Sequence, residues 1–175
     1  MRMTIAIIVA LLLTRQGVAQ LQPQDAASSV QFKIKNFGFN TTGVLTGLAG
    51  KIRFDPARVG DAAFDVTADA GTINTDNGMR DDHLRKEDYF NVAVYPRIRL
   101  VSGKIGEGKK GVFLFSGQLT IKDRTKDVSF PFTAEPEGGG IRFKGAFTIN
   151  RKDFNVGGTS TISNELQVDL NVLAK

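Results

Sequence analysis

The residues able to do chemistry are few, and they crowd into one stretch. The chain carries one histidine and no cysteine. The histidine stands in the run Met79-Arg80-Asp81-Asp82-His83-Leu84. An imidazole beside a carboxylate can serve as a general acid or base, with Asp81 orienting His83. The companions such chemistry needs are missing from the sequence. There is no thiolate or second histidine for a metal or a Cys-His nucleophile, and no Gly-x-Ser-x-Gly elbow. Neither a Gly-x-Gly-x-x-Gly nor a P-loop pattern opens a helix, so no nucleotide cofactor is expected. Asp81 and Asp82 are sequence neighbours that point different ways on a helix, which makes them poor acid and base partners. Two readings of His83 stay open: a capping or packing residue on a short helix, or, with Arg80 and Asp81, part of a polar lid that hydrogen-bonds a ligand's head group.

The elements that must position this stretch are strands. After a polar lead-in, Gln20 to Ala27, the apolar Val30, Phe32 and Ile34 alternate with Gln31, Lys33 and Lys35. Period-two alternation marks a strand with one dry face. It returns at 51–54, 63–68, 97–101, 112–122, 127–134, 141–150 and 166–173. Two hairpins are expected, one through Lys122-Asp123-Arg124-Thr125-Lys126 and one entered through Glu137-Gly138-Gly139-Gly140. Gly117 predicts a bulge or bend, and Pro131 predicts an edge or a bulge. From Asp76 to Phe90 the alternation fails; acids come early, bases later, and Met79 and Leu84 share a side, which predicts a short helix or helical loop. Many short strands with polar turns argue for an all-β, single antiparallel barrel or sandwich.

At 175 residues the chain fits one domain. Residues 1–19 read as a secretion signal, with basic Arg2, an apolar run from Ile5 to Leu13 and small residues ending at Ala19. Residues 20–175 form the expected mature domain. The apolar run is too short for a spanning helix, so no stable membrane insertion is expected. Removing Arg2 and Arg15 from the 23 basic residues leaves 21 against 18 acidic, a balance too weak to argue for nucleic acid. Basic residues on outer strand faces, Lys33, Lys35, Arg97, Arg99, Arg142 and Lys144, read as solubility devices or as weak attraction to anionic lipid head groups. Thirteen Phe, two Tyr and no Trp suit a dry interior, either a Phe-rich core or the wall of a cavity.

Several segments resemble the YceI-like family of polyisoprenoid-binding, lipocalin-like periplasmic proteins. They include Ser29-Val30-Gln31-Phe32-Lys33-Ile34, Gly50-Lys51-Ile52-Arg53-Phe54-Asp55 and Ile73-Asn74-Thr75-Asp76 followed by Arg80-Asp81-Asp82-His83-Leu84. Further on come Asp88-Tyr89-Phe90-Asn91, Tyr95-Pro96-Arg97-Ile98 and Asn150-Arg151-Lys152-Asp153-Phe154. The sequence departs from the family at Lys35-Asn36-Phe37-Gly38, where many members carry a histidine-containing turn. The resemblance implies a lipocalin-like barrel of about eight strands with a short helix or lid, enclosing an elongated cavity for an isoprenoid or other long-chain amphiphile.

The inward residues of the strands then become candidates for the cavity wall. Phe32, Ile34 and Phe64 come from the first strands, Phe113, Phe115, Phe130 and Phe132 from the first hairpin, and Phe143 and Phe147 from the second. Met79, Arg80, Asp81, His83 and Leu84 are the candidate lid contacts. Alternation does not separate wall from solid core. The expected role is a periplasmic, non-enzymatic carrier without cofactor or metal, sequestering a lipid such as an isoprenoid quinone or a fatty-acid derivative; oligomeric state, including a homodimer, is open. The alternatives are a lipid-acting enzyme using His83 and a protein-binding adaptor with a filled barrel.

Overall fold

A computed structural model describes residues 20–158 and 162–175, so the leader expected at 1–19 lies outside the described residues. The strands are β1 (Gln20–Leu21), β2 (Ser29–Asn36), β3 (Phe39–Arg53), β4 (Ala63–Asn74), β5 (Arg97–Glu107), β6 (Val112–Ile121), β7 (Arg124–Glu137), β8 (Gly140–Asn150) and β9 (Ile162–Ala174), with one helix, α1 (Gly78–Leu84), between β4 and β5. From β2 onward every strand pairs antiparallel with the next, and β9 returns to β2. The result is a closed eight-stranded up-and-down barrel, which decides between the barrel and the sandwich that the alternation left open and agrees with the about eight strands that the resemblance implied. Closure removes the free sheet edges that would otherwise invite aggregation. The extra strand β1 lies in the expected polar lead-in and pairs Gln20 with Arg53 at the far end of β3.

Strand β3 differs most from its expected extent. Alternation marked only 51–54, whereas the strand runs for 15 residues, pairing β2 through Phe39–Leu45 and β4 through Val44–Arg53. Its register slips between Val44 and Thr46 and again between Thr46 and Ala49. Such bulges bend a strand and break period two, so Leu45, Leu48 and Ile52 all reach the interior at spacings of three and four. Gly50 sits at φ 125, and a Cβ there would lie 2.2 Å from the Asp65 carbonyl oxygen. Only glycine fits.

Gly117 was expected to carry a bulge, but the register slip lies on its partner, between Ser102 and Lys104 of β5. Gly117 instead admits that strand: a Cβ on it would meet the Val101 carbonyl oxygen at 2.1 Å. Pro131 stands where an edge was expected. Strand β7 pairs with β6 from Arg124 to Thr133 but with β8 only from Phe132 to Glu137, so the missing N–H costs no ladder bond. The β7–β8 turn is Gly138-Gly139 (φ 56 and 80), and the β6–β7 turn is tighter than expected, only Lys122-Asp123.

The interior is packed solid at one end. Phe54, only 4% exposed, meets Phe64, Phe113, Phe132 and Phe143 edge-on at centroid distances of 5.0 to 6.2 Å. Edge-to-face pairs are each worth about 0.5–1.5 kcal/mol beyond area burial. Residues 22–24 and 173–175 close over this plug, with Pro23 bridged to fully buried Ala174. Down the wall, Phe115, Phe130 and Phe147 stack in sequence at 4.8 and 4.5 Å.

Candidate ligand cavity

Below the plug the barrel is not filled. Val30, Phe32 and Ile34 of β2 and Leu166, Val168 and Leu170 of β9 point inward yet remain only half-buried. They border an internal cavity of about 240 Å³. Its wall reaches from Pro23, Ile52 and Phe64 near the plug to Thr75, Arg80 and Arg151 at the opposite end. The eight residues of β2, at roughly 3.4 Å each and tilted by about 40°, set a barrel height on the order of 20 Å. Because its lining runs from the plug to the α1 end, the cavity is elongated along the barrel as a channel rather than confined to one level.

Polar side chains gather where the channel meets α1. Asn36 and Thr41 face it from the β2–β3 hairpin, Thr75 and Arg80 from the β4–α1 junction, and Arg151 from the end of β8. Thr67 and Lys144 also border it part-way along the wall, but their polar ends are engaged elsewhere, the Thr67 hydroxyl by Arg97 and the Lys144 ammonium by Glu135. Asn77 caps α1, its Oδ1 accepting from the Arg80 backbone N–H at 3.0 Å, and this sets the direction of the Arg80 side chain. Arg80 Nε donates to Thr75 Oγ1 (2.7 Å) and its Nη2 to the Thr75 carbonyl (2.6 Å). The neighbouring carboxylate of Asp81, itself buried, is taken up by Thr75: Oδ1 accepts from the Thr75 backbone N–H at 2.9 Å and from its hydroxyl at 2.5 Å. Arg80 therefore has no part in the ion pairs found among the described residues. A half-buried guanidinium without a carboxylate at the mouth of an apolar channel favours an anionic or strongly polar group there. The amide oxygen of Asn36 is buried on the same wall with no partner among the described residues.

Arg85 and Arg151 have different work. Arg85 donates to the carbonyls of Gly71 and Ile73, tying α1 to β4. Buried Arg151 donates to the carbonyls of Val156, Ile162 and Ser163 and shapes the β8–β9 connection. Nothing in the sequence pattern distinguished these arginines from surface ones. The basic residues expected on outer faces lie there, but several are engaged: Arg97 donates to Thr67 Oγ1 and the Gly47 carbonyl, and Arg142 pairs with Glu137.

The candidate wall residues divide. Phe32, Ile34, Phe64, Phe115, Phe130, Phe132, Phe143 and Phe147 border the channel, while Phe113 stands behind it in the aromatic plug. Of the lid candidates, Arg80 and Leu84 reach the channel. Met79 points to solvent at 85% exposure. Exposed His83 does not border the channel but packs edge-on at 4.8 Å against Tyr89, which does, and Asp81 faces Thr75 rather than the imidazole. Imidazole and carboxylate are not assembled as an acid-base pair. Among the described residues no cluster of His, Cys, Asp and Glu could hold a metal. The run Gly106-Glu107-Gly108-Lys109-Lys110-Gly111 has dinucleotide-motif spacing but joins two antiparallel strands and precedes no helix. Alternation missed Leu45 and Leu48, displaced by the β3 bulges; Ile52 and Phe54, the centre of the plug, lie in the alternating run 51–54 but were not among the candidate wall residues.

A closed up-and-down barrel with an apolar channel and one polar mouth belongs to the lipocalin-like class of binding proteins. Within that class the chain is a member of the YceI-like family, whose domain model matches residues 20–174. It is 33% identical over 138 residues to a UPF0312 protein of Pseudomonas fluorescens, covering 71% of this chain and 69% of the relative. The crystal structure of Burkholderia cenocepacia BcnA superposes with a TM-score of 0.83 at 26% identity, covering 87% of this chain and 99% of that one. A polyisoprenoid binding domain from Saccharophagus degradans, implicated in plant cell wall breakdown, shares the fold at a TM-score of 0.71 and 16% identity, over 91% of this chain and 99% of that domain.

Proposed function

We propose that the protein is an exported carrier that sequesters an isoprenoid or similar long-chain amphiphile, its tail in the barrel channel and its polar head beside Arg80, Thr75 and Asn36, without chemical conversion. The observation that carries this reading is the channel itself: apolar along its length, closed by rings at one end and polar at the other. A tail entering it gains about 25 cal/mol for each Å² of apolar surface removed from water. The half-covered side chains of β2 and β9 gain the same cover in turn. Family membership supports the reading, and a polyisoprenoid binding domain shares the fold. A filled-barrel adaptor would leave no such void, and an enzyme using His83 would need the imidazole at the channel.

The test is native mass spectrometry of protein purified from its own host without detergent, followed by organic extraction of anything released. A stoichiometric long-chain species is the expected result. A bare mass, unchanged after incubation with a polyprenyl phosphate, an isoprenoid quinone and a fatty-acid derivative, refutes the proposal.

A further inference from the structure

The turn between β2 and β3 spends conformational energy to display an aromatic ring. Strand pairing ends at Asn36 and Phe39, leaving the two-residue turn Phe37-Gly38 with φ values of 50 and 82. Asparagine or glycine is the usual first residue where both φ are positive. A bulky aromatic there is strained, and strain of this kind persists where the structure has a use for it. Phe37 gains no burial in return: it is 72% exposed, and Phe39 across the turn is 79% exposed. They are two of the most exposed large apolar side chains among the described residues.

Their position matters as much as their exposure. Strand β3 has no β4 partner before Val44, so Phe39–Gly43 and the turn overhang the end of β4 by roughly 15 Å at about 3.3 Å per residue. The overhang stands at the mouth of the channel, whose wall includes Ile34, Asn36 and Thr41 of this hairpin. On its outer face Lys33 and Lys35 make no ion pair among the described residues, with Asp76 and Glu165 on neighbouring elements included. Two rings at a projecting tip, backed by two unpaired cations, match the interface of an anionic bilayer, where rings enter the head-group layer and lysines meet lipid phosphates. A second copy of the chain would instead bring its own lysines against these.

We propose that the β2–β3 hairpin tip is a reversible docking site for an anionic lipid surface, seating the mouth of the barrel on the membrane. Docking is separable from the cargo reading, because it is measured on lipid-stripped protein and needs nothing in the channel. The experiment is co-sedimentation of the purified chain with vesicles of phosphatidylglycerol and phosphatidylethanolamine, against vesicles of phosphatidylcholine alone. Binding is expected to the anionic vesicles and to weaken as salt rises. Phe37→Asn with Phe39→Thr removes both rings while suiting the turn and strand, so the thermal midpoint holds or rises while vesicle binding falls at least tenfold. Lys35→Gln weakens binding about fivefold on anionic vesicles at low salt. Absence of binding by the unaltered chain, or binding indifferent to the double substitution, overturns the proposal. So does a dimer that dissociates on the double substitution in a chain that ignores vesicles, which would assign the tip to self-association.

Discussion

Two isoleucines on the inner face of the barrel separate a lined channel from a solid core. Ile73 of β4 is 0% exposed and packs with Leu45 and Ala68, whereas Ile34 of β2 faces the channel and is only half-buried. Both lie in strands, so replacement by alanine costs each a similar loss of β-propensity. The packing term differs. Ile73→Ala opens a new void in close-packed surroundings and should cost about 2–5 kcal/mol. Ile34→Ala enlarges a void already present and removes three carbons already half in contact with the channel. At ~0.8 kcal/mol per fully buried carbon, that amounts to about 1 kcal/mol. Urea unfolding of lipid-stripped protein should therefore show a large fall in midpoint for Ile73→Ala and a small one for Ile34→Ala, with unchanged slopes. With a long-chain ligand bound the order turns: Ile34→Ala should weaken affinity about fivefold, the equivalent of ~1 kcal/mol, and Ile73→Ala should not. Equal destabilisation of the stripped protein by both substitutions would mean that the β2–β9 side is packed, and the channel argument would fall.

Asp81→Ala leaves the backbone N–H and hydroxyl of Thr75 without their acceptor and should cost about 1–3 kcal/mol, with faster hydrogen exchange confined to 75–85. Gly117→Ala forces a methyl against the Val101 carbonyl and should lower the thermal midpoint by several degrees, more than Gly78→Ala, which meets nothing within 4 Å. The Arg99 guanidinium, hydrogen-bonded to Asp65, holds that carboxyl below its ordinary value. A lowered folded-state value gives stability that is present above about pH 4 and lost as the pH falls through it. Asp65→Asn should accordingly lose less stability than the unaltered chain between neutral and strongly acidic pH in thermal scans.

The barrel was legible where its strands are regular. Val30, Phe32 and Ile34, like Phe113 and Phe115, alternate because one face meets the interior, and such runs located most strands. The pattern failed over the first part of β3, where two register slips move the inward positions to Leu45 and Leu48 and glycines stand where side chains would collide, and it resumed only at 51–54. It failed differently at the site. Phe113 and Phe115 read alike in sequence, yet one backs the plug and the other borders the channel, because that distinction depends on how far strands across the barrel fill the space. The Met79–Leu84 stretch was found by its broken alternation. The division of labour within it, Arg80 at the mouth and His83 against Tyr89, is set by the Asn77 cap and Thr75, which no periodicity reports.

The ring cluster around Phe54 gives the channel a floor, and for a carrier such a floor would make the barrel a measuring device. On the proposed carrier reading, a chain entering from the α1 end would go tail first and stop against Phe64 and Phe143. Arg80 stands at a fixed height above that stop. A tail that is too short leaves its head below the guanidinium and an unfilled gap at the floor; one that is too long lifts its head clear of Arg80 into solvent. Substitutions at the floor would thus change which length is preferred without touching the residues that meet the head, and a shallower or deeper plug would retune the same barrel for a different cargo.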